Sequence, residues 1–260
     1  MEKLYVIKIG GNIVDNPTLL TECLTAFSAL KGQAILVHGG GKLATQLATS
    51  MGVEQNMVAG RRITDAETLK IVTMVYAGYI NKNIVAQLQA LGVNAMGLTG
   101  ADGNLITAHK RTGTTIDYGF VGDVNGINES FIDQLLNSNI KLVVAPITHD
   151  GQGQLLNTNA DTIAQSIATG MAKHFEVHLI YGFEREGVLS DVNDPSSVIA
   201  FIDRPVYGTL KDQKVIFEGM IPKIDNAYLA VEGGVQSVII GKAEKLNQLI
   251  NGTAGTTIII

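Results

Sequence analysis

Cysteine, proline and tryptophan are scarce in this chain of 260 residues, which has one cysteine, five prolines and no tryptophan. A single cysteine excludes an intramolecular disulfide framework and fits a reducing compartment. Cys23 falls among the apolar residues of a predicted helix, so we expect it to pack in the core. Low-complexity linkers are also missing, and the sequence therefore predicts one folded body.

Basic residues are outnumbered and form no run. The chain has 19 Lys and Arg against 24 Asp and Glu, a net charge of -5, which argues against nonspecific binding to nucleic acids. No apolar run reaches the roughly 18 residues that a membrane-spanning helix needs. The first residues, MEKLYVIK, lack the long apolar stretch of a signal peptide. We therefore expect a soluble, cytoplasmic protein without nucleic-acid or membrane partners.

Short apolar runs recur along the chain and alternate with helical patterns. Several helical patterns end at a glycine, as at Gly52 and Gly92, which is a common helix stop. Continuous Val, Ile and Leu runs between helices indicate an α/β protein whose mostly parallel sheet is covered on both faces. The predicted strands are residues 4–9, 34–37, 93–98, 142–147, 177–181 and 235–240.

One segment departs from this alternation of strands and helices. Residues 104–128 contain alternating apolar residues and turn glycines, so we predict a hairpin that leaves the main sheet. The rest of the chain is predicted to form one compact body with two lobes. The boundary between the lobes is predicted near residue 172, just before the strand of residues 177–181.

Lys8 lies inside the apolar run YVIKIGG, where a charge is costly unless an anion meets it. Two glycine-rich turns follow predicted strands: Gly10 and Gly11 after the first, and HGGGK, residues 38–42, after the second. Such turns let backbone N–H groups approach a phosphate, and a helix start adds partial positive charge. The residues of these turns and their spacing match neither the Rossmann motif nor the P-loop. The residues alone therefore predict an anionic, phosphorylated small ligand.

Three further positions each have two interpretations. In NTNADT, Asp161 either caps the helix that follows or holds cationic groups in place. Lys223 follows Gly219 and Pro222 at another predicted helix start and is either a solvated lysine or part of a site. His38 is either a structural histidine or a ligand. Because no Cys or His pair has ligand spacing, a zinc site is not expected.

Two adjacent arginines, Arg61 and Arg62, precede a predicted helix start. Thr64 and Glu67 in the following TDAE fit a capping box for that helix. We expect one arginine to face solvent and the other to be available for bidentate binding of a carboxylate.

Taken in their order along the chain, the motifs resemble those of the amino-acid kinase family. They are VIKIGG, LVHGGGK, GRRIT, GLTGADG, GFVGDV, NTNADT and GMIPK, and those from LVHGGGK to GFVGDV are similar to the branch that phosphorylates acylglutamates. The resemblance implies a single domain over residues 1–260, a three-layer α/β/α sandwich with a mostly parallel open sheet. It also implies an N-terminal lobe, residues 1–172, for the acylglutamate and a C-terminal lobe, residues 173–260, for ATP.

The resemblance implies a role for each matching residue. Lys8 and Lys223 would flank the transferring phosphoryl group, and Asp161 would orient both lysines. Backbone N–H groups of Gly10, Gly11 and Gly40 would bind phosphate oxygens. The implied catalytic residues are Lys8, Asp161 and Lys223, the acylglutamate-binding residues Gly40, Gly41, Arg62 and Asn157, and the nucleotide-binding residues Lys8, Gly10, Gly11, Glu184 and Lys223.

The implied activity is phosphorylation of the side-chain carboxylate of N-acetylglutamate by ATP with Mg²⁺, a step of arginine biosynthesis. No dedicated metal cage is visible in the sequence, which fits Mg²⁺ held largely by nucleotide and water. Two alternatives remain: the same reaction on N-succinylglutamate, and a noncatalytic ligand sensor on the kinase scaffold.

One segment departs from the family pattern. After the strand of residues 177–181 the family usually has Thr or Ser followed by Asp, whereas this chain has GFEREGVL. Glu184 is therefore expected to contact the nucleotide in place of the aspartate. Phe183 offers no hydroxyl group for a hydrogen bond.

The helix that follows Thr64 is apolar on every side. At about 100° per residue, its apolar side chains surround the axis instead of forming one stripe, which predicts burial on all faces. We therefore expect a twofold homodimer built around this helix, as the family's simpler members also imply. The family's arginine-inhibited hexamers carry an extra helix before the first strand, which here begins by Leu4, so we expect insensitivity to arginine. The apolar residues are Leu69, Ile71, Val72, Met74, Val75, Tyr76, Tyr79 and Ile80.

Overall fold

Each of the six predicted strands has a counterpart in the structure. The computed structural model describes residues 1–58, 61–216 and 220–259. The strands in these ranges are β1 Lys3–Ile9, β2 Gln33–His38, β3 Met57–Val58, β4 Arg61–Arg62, β5 Ala95–Leu98, β6 Ile106–Lys110, β7 Val121–Ile127, β8 Lys141–Val144, β9 Ile147–His149, β10 Leu155–Thr158, β11 Glu176–Phe183, β12 Phe201–Ile202, β13 Ser237–Lys242 and β14 Thr256–Ile258.

Eight of these strands form the main sheet, in the order β12-β14-β13-β11-β1-β2-β8-β5. All neighbouring strands are parallel except β13 and β14, which run antiparallel. The strands β1 and β11 lie side by side at the centre, and their carboxyl ends point to the same edge of the sheet. The prediction of a mostly parallel open sheet is confirmed.

Helices connect most of the strands. The α-helices are α1 Gly11–Val14, α2 Pro17–Ser28, α3 Gly41–Ser50, α4 Ala66–Thr73, α5 Asn81–Ala90, α6 Glu129–Asn137, α7 Ala160–Met171, α8 Arg204–Asp212, α9 Ile221–Glu232 and α10 Leu246–Ile250. A π-helix, Met74–Ile80, joins α4 to α5, and two short 3₁₀ turns span Asp102–Asn104 and Ala243–Lys245. Among the described residues, no helix is long and apolar enough to cross a membrane.

The helices cover both faces of the main sheet, so the chain has three layers. Side chains alternate along β1, and Leu4 and Val6 belong to the core layer that also contains residues of α6, α7, α8 and α9. Tyr5 and Ile7 face the opposite layer, which contains α2, α3, α4, α5 and α10. Cys23 is buried in this second layer, as predicted. The predicted α/β/α sandwich is therefore confirmed.

A second, four-stranded sheet closes on itself beside the main one, in the order β10-β7-β6-β9. The antiparallel pair β6 and β7 is the hairpin predicted within residues 104–128. The predicted strand of residues 142–147 is wrong in one respect, because it divides into β8 of the main sheet and β9 of the small sheet. Pro146 stands at the break, and proline lacks the N–H group that would continue the main-sheet ladder.

The π-helix changes how the apolar helix after Thr64 should be interpreted. A π-helix has i to i+5 hydrogen bonds and wider turns than an α-helix, so the assumed 100° per residue does not apply to Met74–Ile80. Its side chains Val75, Tyr76 and Ile80 are buried, but Met74 is 52% exposed and Tyr79 is 65% exposed. The expected ring of apolar side chains is thus a buried face with two exposed residues.

The start of α4 also differs from the prediction. Asp65 is the N-cap, and its carboxylate accepts a hydrogen bond from Thr68 N at 2.7 Å. Thr64 is instead a fully buried bridge to the hairpin, with its backbone N–H donating to Tyr118 O at 2.9 Å. The predicted N-cap, Thr64, is therefore wrong by one residue, because the backbone of Thr64 bonds to the hairpin instead of starting the helix.

We expect Asp65→Ala to lower the free energy of unfolding by about 1 kcal/mol, the usual loss for an N-cap aspartate. Glu67→Ala should cost no more than about 0.5 kcal/mol, because Glu67 is exposed and its ion pair with Lys70 is at the surface. Urea denaturation of the two variants and the wild type would measure both values. Equal losses would favour the capping box and contradict the observed cap.

Candidate active site

Two glycine turns meet at the carboxyl edge of the main sheet. The strand β1 leads through Gly10 into α1, and its neighbour β2 leads through residues 39–40 into α3. The backbone of the second turn hydrogen-bonds to the end of β1, from Gly39 N to Ile9 O at 2.9 Å. Gly40 has φ +156°, and a Cβ there would overlap Cδ1 of Ile80. The second turn therefore requires glycine at this position.

Lys8, Asp161 and Lys223 come together at this edge of the sheet. Lys8 Nζ lies 2.8 Å from Asp161 Oδ1, and Lys223 Nζ lies 3.3 Å from both carboxylate oxygens. The three side chains come from β1, α7 and α9 and are almost completely buried. Asn159 caps α7, which leaves the Asp161 carboxylate free to hold the lysines. The interpretation of Asp161 as a holder of cations is the one that fits this geometry.

The charges of this cluster are coupled. Burial by itself would raise the pKa of Asp161, but the two lysines outweigh burial and lower this pKa to about 2. Burial and the charge of Lys8 lower the pKa of Lys223, against the opposing effect of Asp161. With Asp161 ionised and both lysines charged, the cluster carries one net positive charge in a place with little water. Such a charge favours binding of an anion.

Two adjoining cavities open beside the cluster. The inner cavity, about 180 Å³, lies between the second glycine turn and the start of α7. The outer cleft, about 450 Å³, contains Lys8 and Lys223. Gly41, Met57 and Arg62 line both spaces and form their common wall. A ligand in the inner cavity and a second ligand in the outer cleft would therefore lie next to each other, both beside these three residues.

The predicted site residues divide between these two spaces. The inner cavity is lined by all four residues assigned to the acylglutamate, Gly40, Gly41, Arg62 and Asn157. The outer cleft is lined by all five assigned to the nucleotide, Lys8, Gly10, Gly11, Glu184 and Lys223. Three residues of the motifs lie outside the described residues. They are Gly60 of GRRIT, Gly219 of GMIPK and Glu218, which precedes GMIPK.

Arg62 is held in place from several directions. It donates to Gly41 O and to Thr45 Oγ1, each at 2.8 Å, and also to the side-chain oxygen of Gln55. The guanidinium is nearly buried and lines both cavities. Asn157 donates to Thr64 Oγ1 at 3.0 Å, so its side chain is also held by a neighbouring residue.

Two more arginines line the inner cavity. Arg111 follows β6 and donates from Nε to both carboxylate oxygens of Asp123 on β7, at 3.2 and 3.0 Å. Arg61 was expected to face solvent, but it is half-buried in the cavity wall. Burial and the charge of Arg111 lower the pKa of Arg61. The cavity thus brings together three arginines and one aspartate, an excess of positive charge.

Glu184 faces the outer cleft and accepts a hydrogen bond from Asn12 Nδ2 at 2.7 Å. This contact joins the end of β11 to α1, across the cleft. Phe183 lines both the cleft and a third, apolar pocket of about 250 Å³, which also includes Val188 and Ile216. The side chain that offers no hydroxyl group therefore forms part of an apolar surface beside the cleft.

His38 is a structural residue. It is fully buried, with Nδ1 2.9 Å from Gly39 O and Nε2 3.2 Å from Asn81 Nδ2. Burial lowers the pKa of His38 to about 4, although the backbone contact opposes the change. Among the described residues, no group of three or more His, Cys, Asp or Glu side chains is placed to hold a metal ion.

Sequence reasoning did not select Arg111, Asp123 or Lys42, which lines the outer cleft. Lys42 is the last residue of HGGGK, so its position in a glycine-turn motif was a usable signal. Arg111 and Asp123 lie on a hairpin whose alternation predicts strands but not which residues face a cavity.

A family model described as the amino acid kinase family matches residues 3–242. The chain belongs to the amino acid kinase family. Two acetylglutamate kinases, from Parabacteroides distasonis and Cytophaga hutchinsonii, are 56% and 55% identical to this kinase. The alignments cover 95% and 100% of this chain, and 97% and 99% of the relatives.

Solved structures share the fold of this kinase at low sequence identity. Carbamate kinase from Giardia lamblia bound to AMP-PNP gives a TM-score of 0.73 at 13% identity, covering 99% of this chain and 98% of that chain. N-acetylglutamate synthase from Neisseria gonorrhoeae, complexed with coenzyme A and N-acetyl-glutamate, gives 0.83 at 21% identity. That match covers 100% of this chain and 59% of the synthase. The amino-acid kinase architecture therefore extends over the whole chain.

Proposed function

We propose that this kinase transfers the γ-phosphoryl group of ATP to the side-chain carboxylate of N-acetylglutamate, in arginine biosynthesis. The supporting observation is the junction of the two cavities at Arg62 and Gly41, beside the cluster of Lys8, Asp161 and Lys223. The names of the relatives, which are more than half identical to this chain, support the same substrate.

The reaction needs little beyond positioning and charge. A carboxylate is already ionised at neutral pH, so no general base is required. One carboxylate oxygen forms a bond to the γ-phosphorus, the bond from that phosphorus to the bridging oxygen breaks, and ADP leaves with the electron pair. Lys8 and Lys223 stabilise the charge on the phosphate oxygens, and Asp161 holds both lysines in position.

Mg²⁺ accompanies ATP in this proposal. It would be held by phosphate oxygens and water, which suits a cleft whose described residues form no cluster of metal-ligating side chains. Its charge would offset part of the charge of the phosphates. Lys8, Lys223 and the N–H groups of Gly10 and Gly11 would bind the remaining phosphate oxygens.

The two substrates would bind to different parts of the chain. Among the described residues, those that line the inner cavity all come before position 172, from Gly39 to Ala160. The described residues that line the apolar pocket beside Phe183 all come later, from Phe183 to Met220, and the pocket suits an adenine ring. The outer cleft has lining residues from both parts. These placements support an N-terminal lobe for the acylglutamate and a C-terminal lobe for ATP.

Lys8→Ala and Lys223→Ala should each lower kcat by roughly 10²-fold or more, because each removes a charge that stabilises the phosphoryl group. Asp161→Asn should also lower kcat, by loosening both lysines. Lys3→Ala is the matched control, since Lys3 lies on the same strand but pairs with Glu176 at its exposed end. A coupled ADP-release assay measures all four variants. Wild-type turnover in a Lys8 or Lys223 variant would remove that lysine from the mechanism.

A second candidate substrate is N-succinylglutamate, and the three arginines of the inner cavity favour it. N-acetylglutamate has one carboxylate besides the acceptor, which Arg62 can bind. Arg111 is paired with Asp123, whereas Arg61 has no ion-pair partner among the described residues. A succinyl group would bring an additional carboxylate into this excess of positive charge.

N-acetylglutamate and N-succinylglutamate should be assayed in parallel with wild type, Arg61→Ala and Arg62→Ala. We expect Arg62→Ala to raise KM for either acylglutamate by about tenfold, with little change in KM for ATP. If Arg61 binds the acyl carboxylate, Arg61→Ala should lower kcat/KM about tenfold for the succinyl substrate only. No turnover of N-succinylglutamate by the wild type would exclude this candidate, and no turnover of any acylglutamate would favour the ligand sensor.

We also propose that the kinase forms a twofold homodimer through the exposed residues of the π-helix. Met74 and Tyr79 are large apolar side chains at the surface, and Met96 on the edge strand β5 is 38% exposed. Large apolar side chains exposed at a surface are typical of an interface.

Light scattering on a size-exclusion column should give twice the 27.6 kDa mass of one chain. Tyr79→Glu should shift the protein to the monomer, because a buried carboxylate opposes association. Leu229→Glu is the control, since Leu229 is 54% exposed but lies on α9. A monomeric wild type would contradict the proposal. A column run with arginine tests the expected insensitivity.

A further inference from the structure

Tyr181 lies directly beside Lys8, near the carboxyl ends of β11 and β1. The two residues are partners in the register of these parallel strands. The same face of β11 carries Val177 and Leu179 before Tyr181, so the strand changes from aliphatic side chains to a phenol at the level of the site. Tyr181 is fully buried, and no step of the proposed reaction involves it. Its position beside the cluster of Lys8, Asp161 and Lys223 therefore needs an explanation.

The ring of Tyr181 packs against the ammonium group of Lys223. Lys223 Nζ lies over the ring, 5.3 Å from its centroid. The negative face of an aromatic ring attracts a cation in this position, and more strongly where water is excluded. The Lys223 side chain meets this condition, since it is only 12% exposed. Burial and the charge of Lys8 lower the pKa of Lys223, so a ring face that favours the charged form supports the cation that the reaction needs.

The hydroxyl group of Tyr181 bonds to the helix that carries Asp161. It donates to the backbone oxygen of Asp161, in the first turn of α7, at 3.3 Å. Burial and the charge of Asp161 raise the pKa of Tyr181 well above its usual value, so the hydroxyl group keeps the proton that it donates. Tyr181 thus contacts two members of the cluster and is the strand neighbour of the third, Lys8.

We infer that Tyr181 is a positioning residue for phosphoryl transfer, because its ring holds the ammonium group of Lys223 and its hydroxyl group anchors the turn that carries Asp161. The inference rests on the function proposed for the cluster. Tyr181 is not among the described residues that line the inner cavity or the outer cleft, so it acts through Lys223 and Asp161. Weakening its contact with Lys223 should therefore lower kcat and leave KM for the acylglutamate, which Arg62 binds, unchanged.

The ring contact is tested with Tyr181→Phe and with monofluoro-, trifluoro- and pentafluorophenylalanine at the same position. Fluorine withdraws charge from the ring face and changes its shape little, so the attraction for a cation weakens step by step. We expect kcat of Tyr181→Phe within about threefold of the wild type, because one long neutral hydrogen bond is lost. The pentafluoro variant should fall at least about tenfold below Tyr181→Phe. KM for N-acetylglutamate and the melting temperature should stay near those of Tyr181→Phe.

Tyr228 provides the matched control series. It is also buried, Cζ of Arg204 lies 4.3 Å from its ring centroid, and its hydroxyl group donates to Ile202 O at 3.4 Å. Its cation, Arg204, pairs with Glu232 at the surface and not with Asp161. The same substitutions at position 228 should therefore leave kcat unchanged, whatever their effect on the melting temperature.

The coupled ADP-release assay gives kcat for both series. An equal kcat along the series at position 181 would overturn the inference. A fall of the same size at position 228 would also overturn it, because the effect would then reflect the stability of the core. A wild type that turns over no acylglutamate would instead contradict the proposed function. Calorimetric titration of the position-181 series with ATP would then decide the inference, since Lys223 lines the cleft whatever the acceptor. Affinity that falls with fluorination would support it, and constant affinity would overturn it.

Discussion

Asp161 holds two lysines with one carboxylate, and the surrounding structure is arranged to make this contact. Asp161 Oδ1 lies 2.8 Å from Lys8 Nζ, both carboxylate oxygens lie 3.3 Å from Lys223 Nζ, and a pKa of about 2 keeps the carboxylate ionised. One negative charge between two positive charges leaves a buried excess that is unfavourable without a bound anion. The three side chains come from a strand and two separate helices, so the site forms only when those elements have packed together.

The parallel sheet explains why the glycine turns face this cluster. The carboxyl ends of adjacent parallel strands lie at one edge of the sheet, so the turns that follow β1 and β2 lie side by side. Lys8 is the next-to-last residue of β1, and Gly10 follows the strand directly. Burial of the alternating side chains of β1 in both layers of the core keeps that strand in register. The stability of the core therefore fixes the geometry of the site.

Site residues could be predicted from the sequence where a single residue type meets a single physical requirement. A lysine in a buried strand required an anion, and glycines at strand ends indicated backbone approach to a ligand, so Lys8 and the two turns were predicted. Arg111 was not, because pairing with Asp123 depends on the register of the β6–β7 hairpin. The cap at Asp65 was missed because a strand contact made elsewhere in the fold takes Thr64 out of the helix start.

The π-helix shows why helical periodicity in the sequence could not predict which residues are buried. A period of 100° per residue is an assumption about backbone hydrogen bonding, and seven residues that bond from i to i+5 do not obey it. Tyr76 and Tyr79 are only three residues apart, yet one is buried at the cavity and the other is at the surface. Only the folded backbone distinguishes them.

The small closed sheet and the main sheet carry different parts of the site. Arg111 and Asp123 belong to the hairpin of the small sheet, whereas Lys8 lies at the centre of the main one. A substitution at Arg111 or Asp123 would therefore change the charge of the inner cavity and leave the lysines of the main sheet and the cleft in place.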